Sequence, residues 1–193
     1  KLHDSDEDTI LTAARLIEQK GWNPREPWLE EVIVSQEFPW KEAGFGRSRD
    51  LSEWTKLGIQ PRKKRFPNIN SDIKTFLILP QGLKGPKFLA YPNFNIFIKW
   101  NNSFLYSTSA AYLANRLRGD PEYVSEGPDD ILNFDQMKHL QITLHGLGYD
   151  VGKIDGILGA KTRQSVRAVQ LKFGLPADSW PTIELLRLLN MID

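Results

Sequence analysis

Residues 147–159, LGYDVGKIDGILG, place four glycines and two aspartates within thirteen residues, immediately ahead of a helical pattern. Three chemistries compete for such a segment. A phosphate-cradling loop follows a strand and is spaced GxGxxG, or GxxxxGK with a following Ser or Thr; this segment follows a helix and has neither spacing. A calcium loop alternates oxygen ligands and closes on a glutamate, and no such set follows Asp150 and Asp155. What remains is a series of turns. Gly148 stops one helix, Asp155-Gly156 makes a turn that requires positive φ, and Gly159 leaves space before a helix beginning near Thr162.

Other reactive side chains are scattered. His3, His139 and His145 match no zinc spacing, and the last two fall on different faces of one helix, so no metal is expected. Ser52, Ser103 and Ser165 lack a GxSxG context for nucleophilic chemistry. Arg62-Lys63-Lys64-Arg65 is a local cationic run that reads as a solvated loop, with attraction to an anionic polymer or phospholipid head groups as the second reading. The tryptophans around it are spaced like packing anchors rather than a base-stacking platform, and a net charge of +1 also argues against nucleic acid as a partner.

The elements that must position these residues fall into two differently written parts. The 193 residues, 40% hydrophobic and 25% charged, suffice for one or two globular domains and exclude wholesale disorder. The absence of cysteine excludes disulfides and thiolate chemistry. No apolar run is long enough to span a membrane; the acidic start KLHDSDEDTI is no signal sequence, and a chain beginning at Lys1 reads as a processed protein or a fragment.

Ile10, Ala14 and Ile17 predict a helix over 8–21 stopped at Gly21. A strand is predicted near EEVIV and a helical turn near DLSEWTKLG with Asp50 as N-cap. The runs IKTFLIL, PKFLAYP and FNIFIKW then predict three strands of an antiparallel meander. In the next helix, stopped at Gly119, Tyr106, Ala110, Leu113 and Leu117 mark the apolar face. Residues 119–134 read as a linker. Three further helices follow, marked by Met137, Leu140, Leu144 and Leu147, by Val166, Val169 and Phe173, and by Leu185, Leu186 and Leu189, with Pro181 in the first turn of the last.

The last part resembles the peptidoglycan-binding domain found at the ends of many cell-wall enzymes. Leu140-Gln141, Leu147-Gly148-Tyr149, Gly152, Asp155-Gly156, Gly159, Thr162, Gln170, Gly174-Leu175 and Asp178 follow its pattern in order. Val169 stands where that family has an aromatic residue, and Ser179 where it has glycine. The first part, through AARLIEQKGW, LSEWTKLGI and above all YPNF…WNNS..YS…YLANRL, is similar to the C-terminal half of the catalytic region of B-type lytic murein transglycosylases. The resemblance implies an α+β chain: residues 1–118 as part of a lysozyme-like transglycosylase domain with a small antiparallel β subdomain, a linker at 119–134, and a three-helix peptidoglycan-binding domain at 135–193.

The implied activity is cleavage of the bond between N-acetylmuramic acid and N-acetylglucosamine, with closure of a 1,6-anhydro ring and no cofactor. The family's catalytic glutamate lies upstream of the KGW helix, in a helical lobe outside this sequence. Glu18, Glu30, Glu31, Glu37, Glu42 and Glu53 occupy none of its motif positions and read as solvated carboxylates. By the family's YNxS motif, Trp100 (in place of tyrosine), Asn101, Ser103 and Tyr106 are the substrate-binding residues, with capping of the following helix by Asn101 and Ser103 as the competing reading. The pair that this family often has before the GW motif is replaced by Arg15-Leu16. In the wall-binding module the motif residues are Tyr149, Asp155, Gly156, Thr162, Arg163 and Gln170. The implied partners are peptidoglycan glycan strands, with the missing N-terminal lobe or a second copy covering apolar surface. The implied location is the periplasm or outer membrane of a Gram-negative bacterium. A non-catalytic wall-binding or scaffold protein is the alternative reading.

Overall fold

The computed structural model describes residues 5–44, 46–101, 103–128 and 130–190; His3 lies outside them. Helix α1 (Asp6–Gln19) starts at Ser5, whose Oγ accepts the Asp8 N–H at 3.2 Å, and its first turn carries Asp6, Glu7 and Asp8, where the helix dipole favours acid. Gly21 at φ +94° ends it and turns the chain toward Trp22.

Five strands follow: β1 (Leu29–Ile33), β2 (Arg49–Asp50), β3 (Gln60–Pro61), β4 (Lys74–Ile78) and β5 (Phe88–Ala90). They form one antiparallel sheet in the order β2-β4-β5-β1-β3. Helix α2 (Leu51–Lys56) starts after Asp50, whose N–H donates to Glu53 Oε2 at 3.0 Å.

Two expectations are corrected here. The meander holds only for β4 and β5; the upstream β1 inserts beside β5, pairing Leu29 with Ala90 and Glu31 with Phe88. Leu29 and Val32 point to opposite faces and both are buried, so β1 needs cover on both sides. The third predicted strand, FNIFIKW, is a helix, α3 (Phe94–Asn101). The Tyr91-Pro92-Asn93 turn starts it, with the Phe94, Asn95 and Ile96 N–H groups donating to Tyr91 O, Pro92 O and Asn93 O at 2.8, 3.0 and 3.1 Å. A short apolar run fits a strand or a buried helix equally well, and burial of Phe94 and Ile96 decides.

Helix α4 (Phe104–Leu117) corrects a third. Tyr106, Leu113 and Leu117 are 58%, 57% and 81% exposed, and the buried side is Ser107, Thr108, Ala111 and Asn115. These smaller side chains let α4 lie close to α3, with Ser107 Oγ donating to Phe97 O at 2.9 Å and Asn115 Nδ2 to Leu29 O at 2.9 Å.

One face of the sheet packs Val32, Leu77, Leu89 and Tyr91 against Phe38, Trp54 and Ile59; the other packs Leu29, Ile78, Phe88 and Ala90 against Phe94 and Ala111. The described residues between 118 and 133 carry no regular structure, but the Val124 N–H donates to Glu31 Oε1 at 2.9 Å and the Glu126 N–H to Lys84 O at 3.2 Å. The last three helices, α5 (Phe134–Gly146), α6 (Ala160–Lys172) and α7 (Ile183–Asn190), close on Leu140, Leu144, Val166, Val169, Leu185 and Leu189. Full burial of each such leucine is worth about 1.5–3 kcal/mol. Pro181, expected in the first turn of α7, instead precedes the helix, and Leu147 and Phe173 are the C-cap residues of α5 and α6.

Candidate functional site: an aromatic cleft, a docked module and a buried carboxyl

The predicted substrate residues sit at the α3–α4 turn. Trp100 and Tyr106 line one cleft of about 250 Å³ together with Ile17 and Trp22 from the end of α1, Ile96 and Phe97 of α3, and Ala110 of α4. Asn101 and Ser103 are outside this lining: Asn101 ends α3, and Ser103 caps α4, its Oγ accepting the Tyr106 N–H at 3.4 Å. The capping reading therefore describes Ser103. Among the described residues no carboxylate lines this cleft.

Asn93 places Trp22 against it, and nothing in the sequence pattern except its position after Tyr91-Pro92 pointed to that role. Its buried Oδ1 accepts the Asn23 N–H at 2.9 Å, while its Nδ2 donates to Asn23 O and Glu26 O, each at 2.8 Å. Trp22 then stacks on Trp28 at 5.5 Å between ring centroids and meets Phe97 edge-on at 6.0 Å.

In the C-terminal module the motif residues other than Arg163 hold the module's own turns and core. Buried Gln141, noted only as part of the LQ pattern, is the hub of the glycine-rich segment. Its Oε1 accepts the N–H groups of Asp155 and Gly156 at 3.1 and 2.8 Å, and its Nε2 donates to Lys153 O and Ile157 O at 3.2 and 3.0 Å. Asp155 Oδ1 accepts the Ile157 N–H at 3.0 Å, and Thr162 Oγ1 donates to Val151 O at 3.0 Å. Gly156, at φ +72°, lies so close to Phe134 that a Cβ would stand 2.6 Å from its ring. Tyr149 packs partly buried on the module's core.

Gln170 repeats the device on the following loop, its Oε1 accepting the Ser179 N–H at 2.9 Å and its Nε2 donating to Asp178 Oδ1 and Trp180 O at 2.6 and 3.1 Å. Ser179, in the position the family gives to glycine, has φ 64°. A side chain in that conformation costs about 1 kcal/mol. Ser179→Gly is therefore expected to stabilise the chain by about 0.5–1 kcal/mol, read as a higher denaturant midpoint at unchanged slope.

Arg163 and Arg167 leave the module and grip the loops beside the sheet. Arg163 is buried, its Nη2 donating to Pro80 O at 2.9 Å and its guanidinium standing 4.9 Å from the Phe104 ring centroid and 5.4 Å from that of Trp180. Burial pulls its pKa down to about 10, with Asp178 opposing. Arg167 donates to Ala43 O at 3.1 Å and to Lys41 O, and Asp178 Oδ2 accepts the Leu83 N–H at 3.2 Å.

Glu30 corrects the reading of solvated carboxylates. It is only 6% exposed, and its Oε2 accepts the Tyr91 hydroxyl at 3.3 Å. Burial pushes its pKa up to about 7 against the pull of Lys63, the Tyr91 hydrogen bond and Arg118, with Asp120 adding to the rise. The folded chain thus holds a proton that the unfolded chain has lost between about pH 4.5 and pH 7, so stability falls as pH rises through that window. Each unit of such a shift corresponds to about 1.4 kcal/mol, so the fall is about 3 kcal/mol and levels off above neutrality. Denaturant titration between pH 5 and pH 8 should show it, and Glu30→Gln should flatten that part of the profile.

Among the described residues no group of three or more histidines, aspartates and glutamates gathers as a metal site, and no helix is long and apolar enough to cross a membrane.

Against known families, the transglycosylase SLT domain matches residues 1–115 and the peptidoglycan binding domain residues 135–189. Among solved structures, SltB3 from Pseudomonas aeruginosa in complex with NAG-anhNAM-pentapeptide is 35% identical, with a TM-score of 0.82 over 97% of this chain and 51% of that one. The same protein in complex with NAG-NAM-pentapeptide matches at 36% identity and a TM-score of 0.82, over 96% of this chain and 50% of that one. The chain spans about half the length of these structures. No curated protein matches. The lysozyme-like neighbours, the small antiparallel sheet beneath the α3–α4 hairpin and the three-helix module agree with these matches, and the chain belongs to the SLT-domain transglycosylase family.

Proposed function

We propose that this chain is the substrate-groove and wall-binding part of a lytic transglycosylase acting on peptidoglycan outside the cytoplasm, in the periplasm or at the outer membrane. The bond cut is that between N-acetylmuramic acid and N-acetylglucosamine. One carboxyl protonates the leaving oxygen and then takes the proton of the muramic acid 6-hydroxyl as it closes the 1,6-anhydro ring. The pairing of the two family matches and the anhydro-sugar bound to SltB3 support this reading.

The observation that carries it is the cleft of Trp22, Trp100 and Tyr106, which offers aromatic faces to uncharged sugar and, among the described residues, no carboxylate to cleave it. In this reading Asn101 and Ser103, in the turn just after Trp100, meet acetamido and hydroxyl groups, and the acid comes from a helical lobe packed over the exposed apolar side of α1 and α4. Tyr149, Asp155, Gly156, Thr162, Arg163 and Gln170 shape the module that holds the polymer rather than touch it. The acid-free cleft equally suits a non-catalytic wall-binding protein.

Purified wall incubated with the full chain tests the division of labour. Binding without soluble product is expected, and release of anhydro-muropeptides by this chain alone would overturn it. Adding a helical lobe that carries a glutamate separates the two readings: restored lysis supports the enzyme, and continued inertness supports the binder.

A further inference from the structure

A cavity of about 140 Å³ lies where the C-terminal module meets the first part of the chain. One wall is apolar, with Ile78 at the end of β4, Leu79 beyond it, Ile98 of α3 and Phe104 at the start of α4. The facing wall is one side of α6, where Ala160, Arg163 and Arg167 follow one another at helical spacing. Each part of the chain thus builds half of the site.

The charge on that wall is not matched. Arg163 is only 9% exposed; its Nη2 donates to Pro80 O at 2.9 Å, and its Nε has no hydrogen-bond partner among the described residues. Arg167 donates to Ala43 O at 3.1 Å and to Lys41 O. These acceptors are neutral carbonyls, and among the described residues no carboxylate bonds to either guanidinium. Asp178 also lines the cavity, but its oxygens already accept the Leu83 and Trp180 N–H groups and Gln170 Nε2. Two guanidiniums against one carboxylate leave an excess positive charge, and burial lowers the pKa of Arg163 only to about 10, so the charge persists at neutral pH. The start of α6 adds to the field, because Gly159 supplies no side-chain cap and the positive end of the helix dipole lies at Ala160. A buried charged donor without an acceptor is costly, and a bound anion supplies the acceptor.

We propose that this cavity binds a small organic monocarboxylate, its carboxylate accepting from Arg163 Nε and facing Arg167 and the start of α6, and its short hydrocarbon body lying against Ile78, Ile98 and Phe104. The site depends neither on the aromatic cleft nor on any activity toward wall polymer.

Competing ligands fit less well. A phosphate dianion brings a second charge that Asp178 opposes, and it meets an apolar wall opposite the arginines. A neutral amide accepts from Nε but leaves the excess charge in place. Because both parts of the chain build the site, a bound carboxylate favours their docked arrangement over the separated one.

The test is NMR titration of the full chain at neutral pH and constant ionic strength, set with chloride, using acetate, propionate, butyrate, propionamide and phosphate. The Arg163 Nε–H resonance should move and saturate with each carboxylate, and affinity should rise about fourfold for each methylene from acetate to butyrate. Propionamide and phosphate should bind about tenfold more weakly than propionate. Arg167→Gln, which removes one of the two cations, should weaken all three carboxylates about tenfold and keep the methylene step. Ala160→Leu, at an exposed position on the cavity rim, should fold as the parent does and weaken propionate about tenfold by filling the space. The melting temperature of the parent chain should rise with propionate, and that of Ala160→Leu should not. An unmoved Arg163 Nε–H resonance, equal affinity for propionate and propionamide, tighter binding of phosphate than of propionate, or full propionate affinity in Ala160→Leu would overturn the proposal.

Discussion

Gln141→Ala should unfold most of the C-terminal module while leaving the sheet intact. The side chain is fully buried, and four of its hydrogen bonds join positions 153, 155, 156 and 157 to α5. Alanine leaves two N–H groups and two carbonyls of a tight loop without that partner. At roughly 1 kcal/mol each, with a cavity added, the loss is about 4 kcal/mol, comparable to the whole stability of a domain of this size. Loss of dispersed amide resonances from α5 to α7, with those of β1, β4 and β5 preserved, is the expected NMR result. A change below about 1 kcal/mol in denaturant unfolding would mean that the loop holds itself.

The second large effect is expected at Arg163. Its guanidinium is the buried contact between α6, the Pro80 carbonyl and the Phe104 ring, so Arg163→Ala removes a hydrogen bond and two stacking faces from a site that water does not readily refill. A loss of about 3 kcal/mol is expected, chiefly from the docking of the module on the sheet. Calorimetry should then resolve two unfolding transitions where the parent chain shows one. Arg163→Lys should restore little, because an ammonium group cannot lie flat between two rings. A single transition with an unchanged midpoint would show that Arg167 and Asp178 suffice to hold the two parts together.

Much of this architecture was legible in the residues. Asp50 and Ser103 mark helix starts because a short oxygen-bearing side chain is needed there, and Gly21 and Gly119 mark stops because each needs positive φ, whereas the first helix begins at Asp6 behind Ser5, ahead of the predicted start at residue 8. The motif of the last module was read correctly as a turn-maker, with Asp155 bonding its own backbone. What escaped was set by tertiary context. FNIFIKW alternates like a strand, yet the preceding Tyr-Pro-Asn turn and the cover over Phe94 make it helical. The apolar stripe of α4 faces outward because the smaller residues on its other side allow close approach to α3.

The candidate sites divide along the same line. Trp100 and Tyr106 were named only through the family motif that the sequence resembles, and the α3–α4 hairpin brings both to one cleft; Trp22 lay outside that motif, and buried Asn93 brings it to the cleft from far away in sequence. Glu30 sits beside Glu31 in a charged run, and only the pairing of β1 in the middle of the sheet buries the first while leaving the second to meet Arg62. A local reading has no access to that difference.

The aromatic cleft is the central claim, and binding of peptide-free glycan strands to the full chain tests it most directly. The parent chain should bind, Asn101→Ala should bind more weakly, and Trp100→Ala with Tyr106→Ala should bind at least about tenfold more weakly, the remainder belonging to the C-terminal module. Both rings are about half exposed, at 47% and 58%, so melting temperature should stay within a few degrees of the parent. An affinity unchanged by the double substitution in a folded protein would contradict the assignment and move sugar recognition to another surface.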